Sequence, residues 1–255
     1  MAQRIGTKRT RDEGHEALSQ NQPVTGCQSS QYVEICTLFR QYQQELDSSH
    51  DKKERLVKLS RDVTIQSKRI IFLLHRLLSV TDRGVILSEA EQKLHNVMNL
   101  LHKIAEELKT EDPARYKGAY SPGVQEFIEA LSLYHYWKEN SLLSYAAAQS
   151  YLTFERDVDQ ESVVLFLNPF DYLLGIADLS GELMRVAVNS VGLGHCDLPP
   201  VVVQFMRTLY CGYVALNHGS MNREFHSKLE MLLNNLVKVE QTCYKLKIRG
   251  SESPT

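Results

Sequence analysis

The sequence predicts an all-α fold, a single domain of about seven helices. Three observations carry this expectation. From Gln31 to Asp112 there is no proline, and Gly84 is the only glycine. Apolar residues recur there at the three-and-four spacing of a helix face. The one β-branched apolar run that could be a strand, Val163–Leu167, has no second run to pair with.

Taken in order, residues 1–30 are rich in Gln, Ser, Thr, Gly and charge and have no hydrophobic period, which predicts a disordered tail. Within it, Lys8-Arg9-Thr10-Arg11 is a short basic cluster of the kind that can serve nuclear import. Residues 31–250 are expected to form the helical domain, and 251–255 a second tail. The first long helical region should break near Ser79–Gly84. Before that break, Leu56, Leu59, Val63, Ile70, Leu73, Leu74, Leu77 and Leu78 share one face. Lys58, Arg61, Lys68, Arg69 and Arg76 gather on the other, within roughly 100° of arc. Such a face is either simply solvated or a track for a phosphate backbone, positioned by charge rather than by base readout.

Ser88, followed by Glu89 and Glu91, reads as the N-cap of the next helix, which Thr110–Pro113 should end. Ser121 and Pro122 suggest the start of a third helix. Leu142–Leu152 reads as a short helix, and Thr153–Glu161 as a polar loop. Pro169 should start a fifth helix that Gly192-Leu-Gly194 closes. Asp197-Leu-Pro-Pro200 caps a sixth, which Asn217-His-Gly219 breaks. The last runs from about Glu224 to Leu246 and ends in Lys-Ile-Arg-Gly250.

Composition bounds the function classes. The formal net charge is −2, so any polyanion-binding surface must be local. No apolar run approaches the roughly 20 residues of a membrane helix. Met1 is followed by polar residues, which predicts no secretory signal. The five cysteines are scattered and form no Cys-x-x-Cys, so neither a disulfide framework nor a zinc site is expected.

The chemistry sits in two helices that are otherwise apolar. On Asp171–Ser190, the residues Asp171, Asp178, Glu182, Arg185 and Asn189 fall within roughly 60° of arc. A buried carboxylate must be paired, hydrogen-bonded or metal-bound. One reading is that Glu182 simply pairs with Arg185; another is that Asp178 and Glu182 share a cation. Glu126 and Glu129 repeat the motif on Val124–Trp137. If the two helices face each other, four carboxylates make a nest for a hard divalent ion, the usual route to metal-assisted phosphodiester hydrolysis. A ferritin-like di-iron centre would need Glu-x-x-His, which does not occur. No Walker, dinucleotide or His-Glu-x-x-His motif is present. Gly175 and Gly181, inside a helix, suggest close helix packing.

Leu173–Val191 and Lys238–Gly250 resemble the signature segments of the translin superfamily, and Phe39–Thr64 is similar to its translin-associated branch. The resemblance implies a curved helical bundle that assembles with translin into a hollow hetero-octamer. It implies that this subunit supplies an endoribonuclease dependent on magnesium, or on manganese in its place. Cleavage of single-stranded RNA, removal of passenger-strand fragments to activate the RNA-induced silencing complex, transfer-RNA precursor processing, and binding of single-stranded DNA follow from the same resemblance. So does a location in cytoplasm and nucleus. The family's acidic catalytic positions fall on Glu126, Glu129, Asp178 and Glu182, a set that translin itself lacks. Glu129 and Glu182 are then the principal metal ligands, Glu126 and Asp178 complete the site, and Arg185 joins the basic stripe in binding RNA. The alternative is a non-catalytic helical partner that stabilises translin, with exposed apolar surface suited to oligomerisation.

Overall fold

The computed structural model describes residues 28–155, 162–217 and 221–252. The expectations for residues 1–27, including the Lys8–Arg11 cluster, and for the loop over 156–161 lie outside the described residues. So does the break at His218-Gly219. The chain divides into a unit ending at Ser48 and a unit from Ser49 to Thr255. Helix α1, Gln28–His75, runs through both. In the first unit, Phe39 and Tyr42 meet edge to face at 6.4 Å. The second holds the remainder of α1 and every later element.

After α1 comes one 3₁₀ turn, Arg76–Leu78, and then α2 (Arg83–Leu108), α3 (Pro113–Glu139) and α4 (Tyr145–Ser150). Three more helices complete the order: α5 (Pro169–Gly192), α6 (Leu198–Leu216) and α7 (Arg223–Glu252). The fold class is all-α, as the apolar periodicity requires. Leu56, Val63, Ile70, Leu74 and Leu77 of the predicted α1 face are at most 1% exposed, while Leu59 is half-buried.

Several boundaries differ from expectation for local reasons. Helix α2 starts five residues before Ser88, because Asp82 caps it by accepting from the Gly84 N–H at 2.9 Å. Helix α3 starts at Pro113, capped by Asp112, and carries Pro122 in its interior rather than at its start. A proline there disturbs the helix ladder. Ser60 of α1 mends the turn: its Oγ accepts from the Gly123 N–H at 3.0 Å and donates to the Tyr120 carbonyl at 3.3 Å. Gly123 permits this approach, since a Cβ on it would sit 2.7 Å from the Ser60 carbonyl oxygen. Val163-Val164 does find a partner, pairing antiparallel with Thr153-Phe154, directly after α4. The side-chain amide of Gln149 reinforces the bridge, accepting from Leu167 N–H and donating to Leu165 C=O. Pro169 opens α5 as expected, behind an Asn168 cap. Asp197 makes no side-chain capping bond to α6. Helix α7 continues through Gly250 to Glu252, so neither that glycine nor a tail from residue 251 ends it.

The packing that matters for function is α3 against α5, the most extensive contact between elements. Gly175 sits at the crossing. A Cβ there would lie 2.7 Å from the Gln125 carbonyl oxygen and 2.8 Å from Ile128 Cβ, so the close approach needs glycine. At Gly181 the nearest atom would be 3.7 Å away, in ordinary contact, and close packing does not require it.

Candidate active site

The crossing at Gly175 places both acidic pairs on neighbouring helices. Glu126 and Glu129 flank Phe127 and Ile128 on α3, and Asp178 and Glu182 follow Gly175 by one and two turns on α5. Glu129 is 9% exposed and makes no hydrogen bond or ion pair among the described residues. Burial, and then the charges of Glu126, Asp178 and Glu182, push its pKa up to about 8, with Lys68 opposing. Burial also raises Glu126; Lys68 opposes this, and Asp178 and Glu182 add to it. Each of these carboxyl groups therefore feels the pair on the other helix.

The remaining three carboxylates are met by the protein's own cations. Lys68 of α1 lies 3.3 Å from Glu126 Oε1. Glu182 Oε2 is 2.5 Å from His75 Nε2 and accepts from Arg185 at 3.1 Å. Lys228 of α7 donates to Asp178 Oδ1. Among the described residues, no three His, Cys, Asp or Glu side chains are grouped to hold a metal ion as they stand. The Glu182–Arg185 pair expected of a purely structural stripe is present, and Asp178 and Glu182 are held by separate cations. The chemistry of the donor set nonetheless fits a hard divalent ion: four carboxylates, one of them, Glu129, buried without an ion-pair partner among the described residues. Asp171, the fifth acid of the α5 stripe, has a different role. It is 3% exposed, and its Oδ1 accepts from Ser121 at 2.6 Å and from Gln125 at 3.0 Å, which ties α5 to α3.

The six residues expected to bind RNA are all exposed but do not act together. Lys68 and Arg185 already touch the acidic set. Arg61 shares the helical phase of Lys68 on α1, Arg69 lies a quarter-turn round from it, and Arg76 falls in the 3₁₀ turn after α1. Lys58 instead lines an open groove of about 740 Å³ between α1 and α2. There Arg55 is paired to Glu107 and Lys52 to Glu111. Sequence reasoning missed His75 and Lys228. His75 carried a signal, since it follows Lys68 by seven residues and so shares its helical phase. Lys228 carried none.

A profile of the Translin family matches residues 51–250. This chain belongs to the translin family. Within that family it is 43% identical to mouse Translin-associated protein X over 259 residues, covering 96% of this chain and 89% of the mouse protein. Identity to the orangutan Translin-associated protein X is 41%, over the whole of this chain and 92% of that one. Among solved structures, apo-NeC3PO superposes with a TM-score of 0.64 at 22% identity, covering 82% of this chain and 96% of that one. AfC3PO bound to duplex RNA superposes with a TM-score of 0.62 at 20% identity, covering 87% and 100%. At those identities the two structures establish the translin-like helical fold. The curated relatives reach across nearly the full length, so the family likeness includes α3 and α5.

Proposed function

We propose that this chain is the catalytic subunit of a translin-containing, magnesium-dependent endoribonuclease that cuts single-stranded RNA. The observation that supports it is the apposition of two acid pairs across the Gly175 crossing, with Glu129 buried and without a hydrogen-bond or ion-pair partner among the described residues. The relatives' name, Translin-associated protein X, supports the partner, and a structural neighbour bound to duplex RNA supports the ligand class. Removal of passenger-strand fragments from the RNA-induced silencing complex, in cytoplasm and nucleus, is the biological setting we assign to it.

Glu126, Glu129, Asp178 and Glu182 would hold the ion, with manganese able to replace magnesium. When bound, the ion supplies Lewis-acid polarisation of the phosphodiester and an acidified water. The chain's own groups do the rest. Lys68 and Arg185 sit beside the acids and are the nearest cations for phosphate oxygens. His75 Nε2 hydrogen-bonds Glu182 Oε2 and fixes that carboxylate's orientation. Glu129 keeps a proton near neutral pH until a cation compensates it.

A second reading has its own observation. Three carboxylates are already paired with the chain's own cations, as they would be in a purely structural network of a non-catalytic partner of translin. One experiment separates the two. The complex reconstituted with translin is given Glu129→Ala and Glu182→Ala and assayed on short single-stranded RNA with magnesium. Loss of cleavage with intact assembly supports the nuclease; undiminished cleavage refutes it and leaves the partner role.

A further inference from the structure

We propose that Phe72 is a stacking platform for an unpaired nucleobase, set beside the carboxylate pairs. The inference rests on the reading of those carboxylates as the cleavage site, and it names what holds the strand there. Phe72 is 65% exposed, while Ile71, Leu73 and Leu74 around it are at most 5% exposed. Its ring has no aromatic or cationic partner among the described residues. It follows Lys68 by four residues and precedes His75 by three, so it lies one turn from each. Lys68 touches Glu126 and His75 touches Glu182. Phe72 therefore lies between the two residues of α1 that reach the acid pairs, with its ring turned to solvent.

The surroundings select the occupant. Lys68 and Arg69 lie on either side of Phe72 around the helix, Arg76 follows in the 3₁₀ turn, and Ile65, 48% exposed, continues its face two turns earlier. From Val63 to Thr81 the chain carries no acid. A flat apolar ring among cations matches a single-stranded polyanion, whose phosphates meet the charges while a base stacks on the ring. The apolar core of a protein–protein interface would instead be depleted in lysine. A base held in a duplex already stacks on its neighbours and cannot lie on Phe72, so the ring favours unpaired strands.

The test uses the full chain assembled with translin and carrying Glu129→Gln to suppress turnover. The probe is single-stranded RNA containing the fluorescent adenine analogue 2-aminopurine. Binding should quench the fluorophore. Phe72→Ala should abolish the quench and weaken binding roughly five- to a hundred-fold, while Phe72→Trp should keep both. An abasic RNA should bind the parent and Phe72→Ala equally. Unchanged quench and affinity in Phe72→Ala would overturn the proposal. So would collapse of the assembly on sedimentation, which would make Phe72 a subunit contact. The quench is read without cleavage. Failure of the carboxylate reading, seen as cleavage surviving Glu129→Ala and Glu182→Ala, is thus a separate outcome.

Discussion

Glu129→Gln is expected to stabilise the metal-free protein, by an amount that grows with pH. The folded-state pKa is about 8 against an ordinary value of 4.5, with burial as the main cause. Below pH 4.5 both folded and unfolded chains hold this proton, and the native state bears no cost. Above it the unfolded chain ionises while the folded one does not, so stability falls as pH rises and levels off only past about pH 8. The loss reaches about 3 kcal/mol by pH 7. Glutamine has no such dependence. The assay is urea unfolding of the parent and Glu129→Gln, as the assembled full-length protein, at four pH values from 5 to 8 in a chelator. The gap should widen by somewhat over 1 kcal/mol per pH unit. Added magnesium should narrow it, because an ion among the four carboxylates favours ionised Glu129. A gap that stays flat across this range would refute the account of a protonated, uncompensated acid.

Three further outcomes rest on the packing and the charges. Gly175→Ala should cost about 1–3 kcal/mol, because its Cβ meets backbone at 2.7 Å, whereas Gly181→Ala should be neutral or stabilising by about 1 kcal/mol; paired thermal melts check both. Asp171→Ala should lower stability by about 1–3 kcal/mol by removing the shared acceptor of Ser121 and Gln125, which are left only their mutual hydrogen bond, again seen in unfolding curves, and should leave magnesium affinity unchanged. Removing Arg69 and Arg76 together should reduce the slope of log binding constant against log salt by about 1.4 on single-stranded RNA, with Glu129 and Glu182 intact.

The fold was legible where apolar residues kept a helical period. The buried face of α1 is that period seen in three dimensions, and Pro169 and Gly192-Leu-Gly194 bound α5 because their backbone restrictions act locally. What was not legible depended on distant atoms. Pro122 reads as a helix start unless Ser60, sixty-two residues earlier, is known to mend its turn. Val163-Val164 lacks a partner in sequence because its mate is only two residues long. At the site, helical phase isolated the four acids, and the Gly175 crossing set them on neighbouring helices. It did not show that Lys68, counted among the RNA-binding cations, already lies against Glu126, nor that Lys228 reaches Asp178 from α7.

The knot tied by Ser60 at the Pro122 turn works as a common origin from which two rulers are read. Eight residues along one of them stands Lys68; three beyond Gly123 on the other stands Glu126. Dropping a single amino acid from either interval would turn everything downstream by about 100° and carry lysine and glutamate out of each other's reach. The lengths of these two intervals, and not only the residues within them, therefore hold the Lys68–Glu126 pair together.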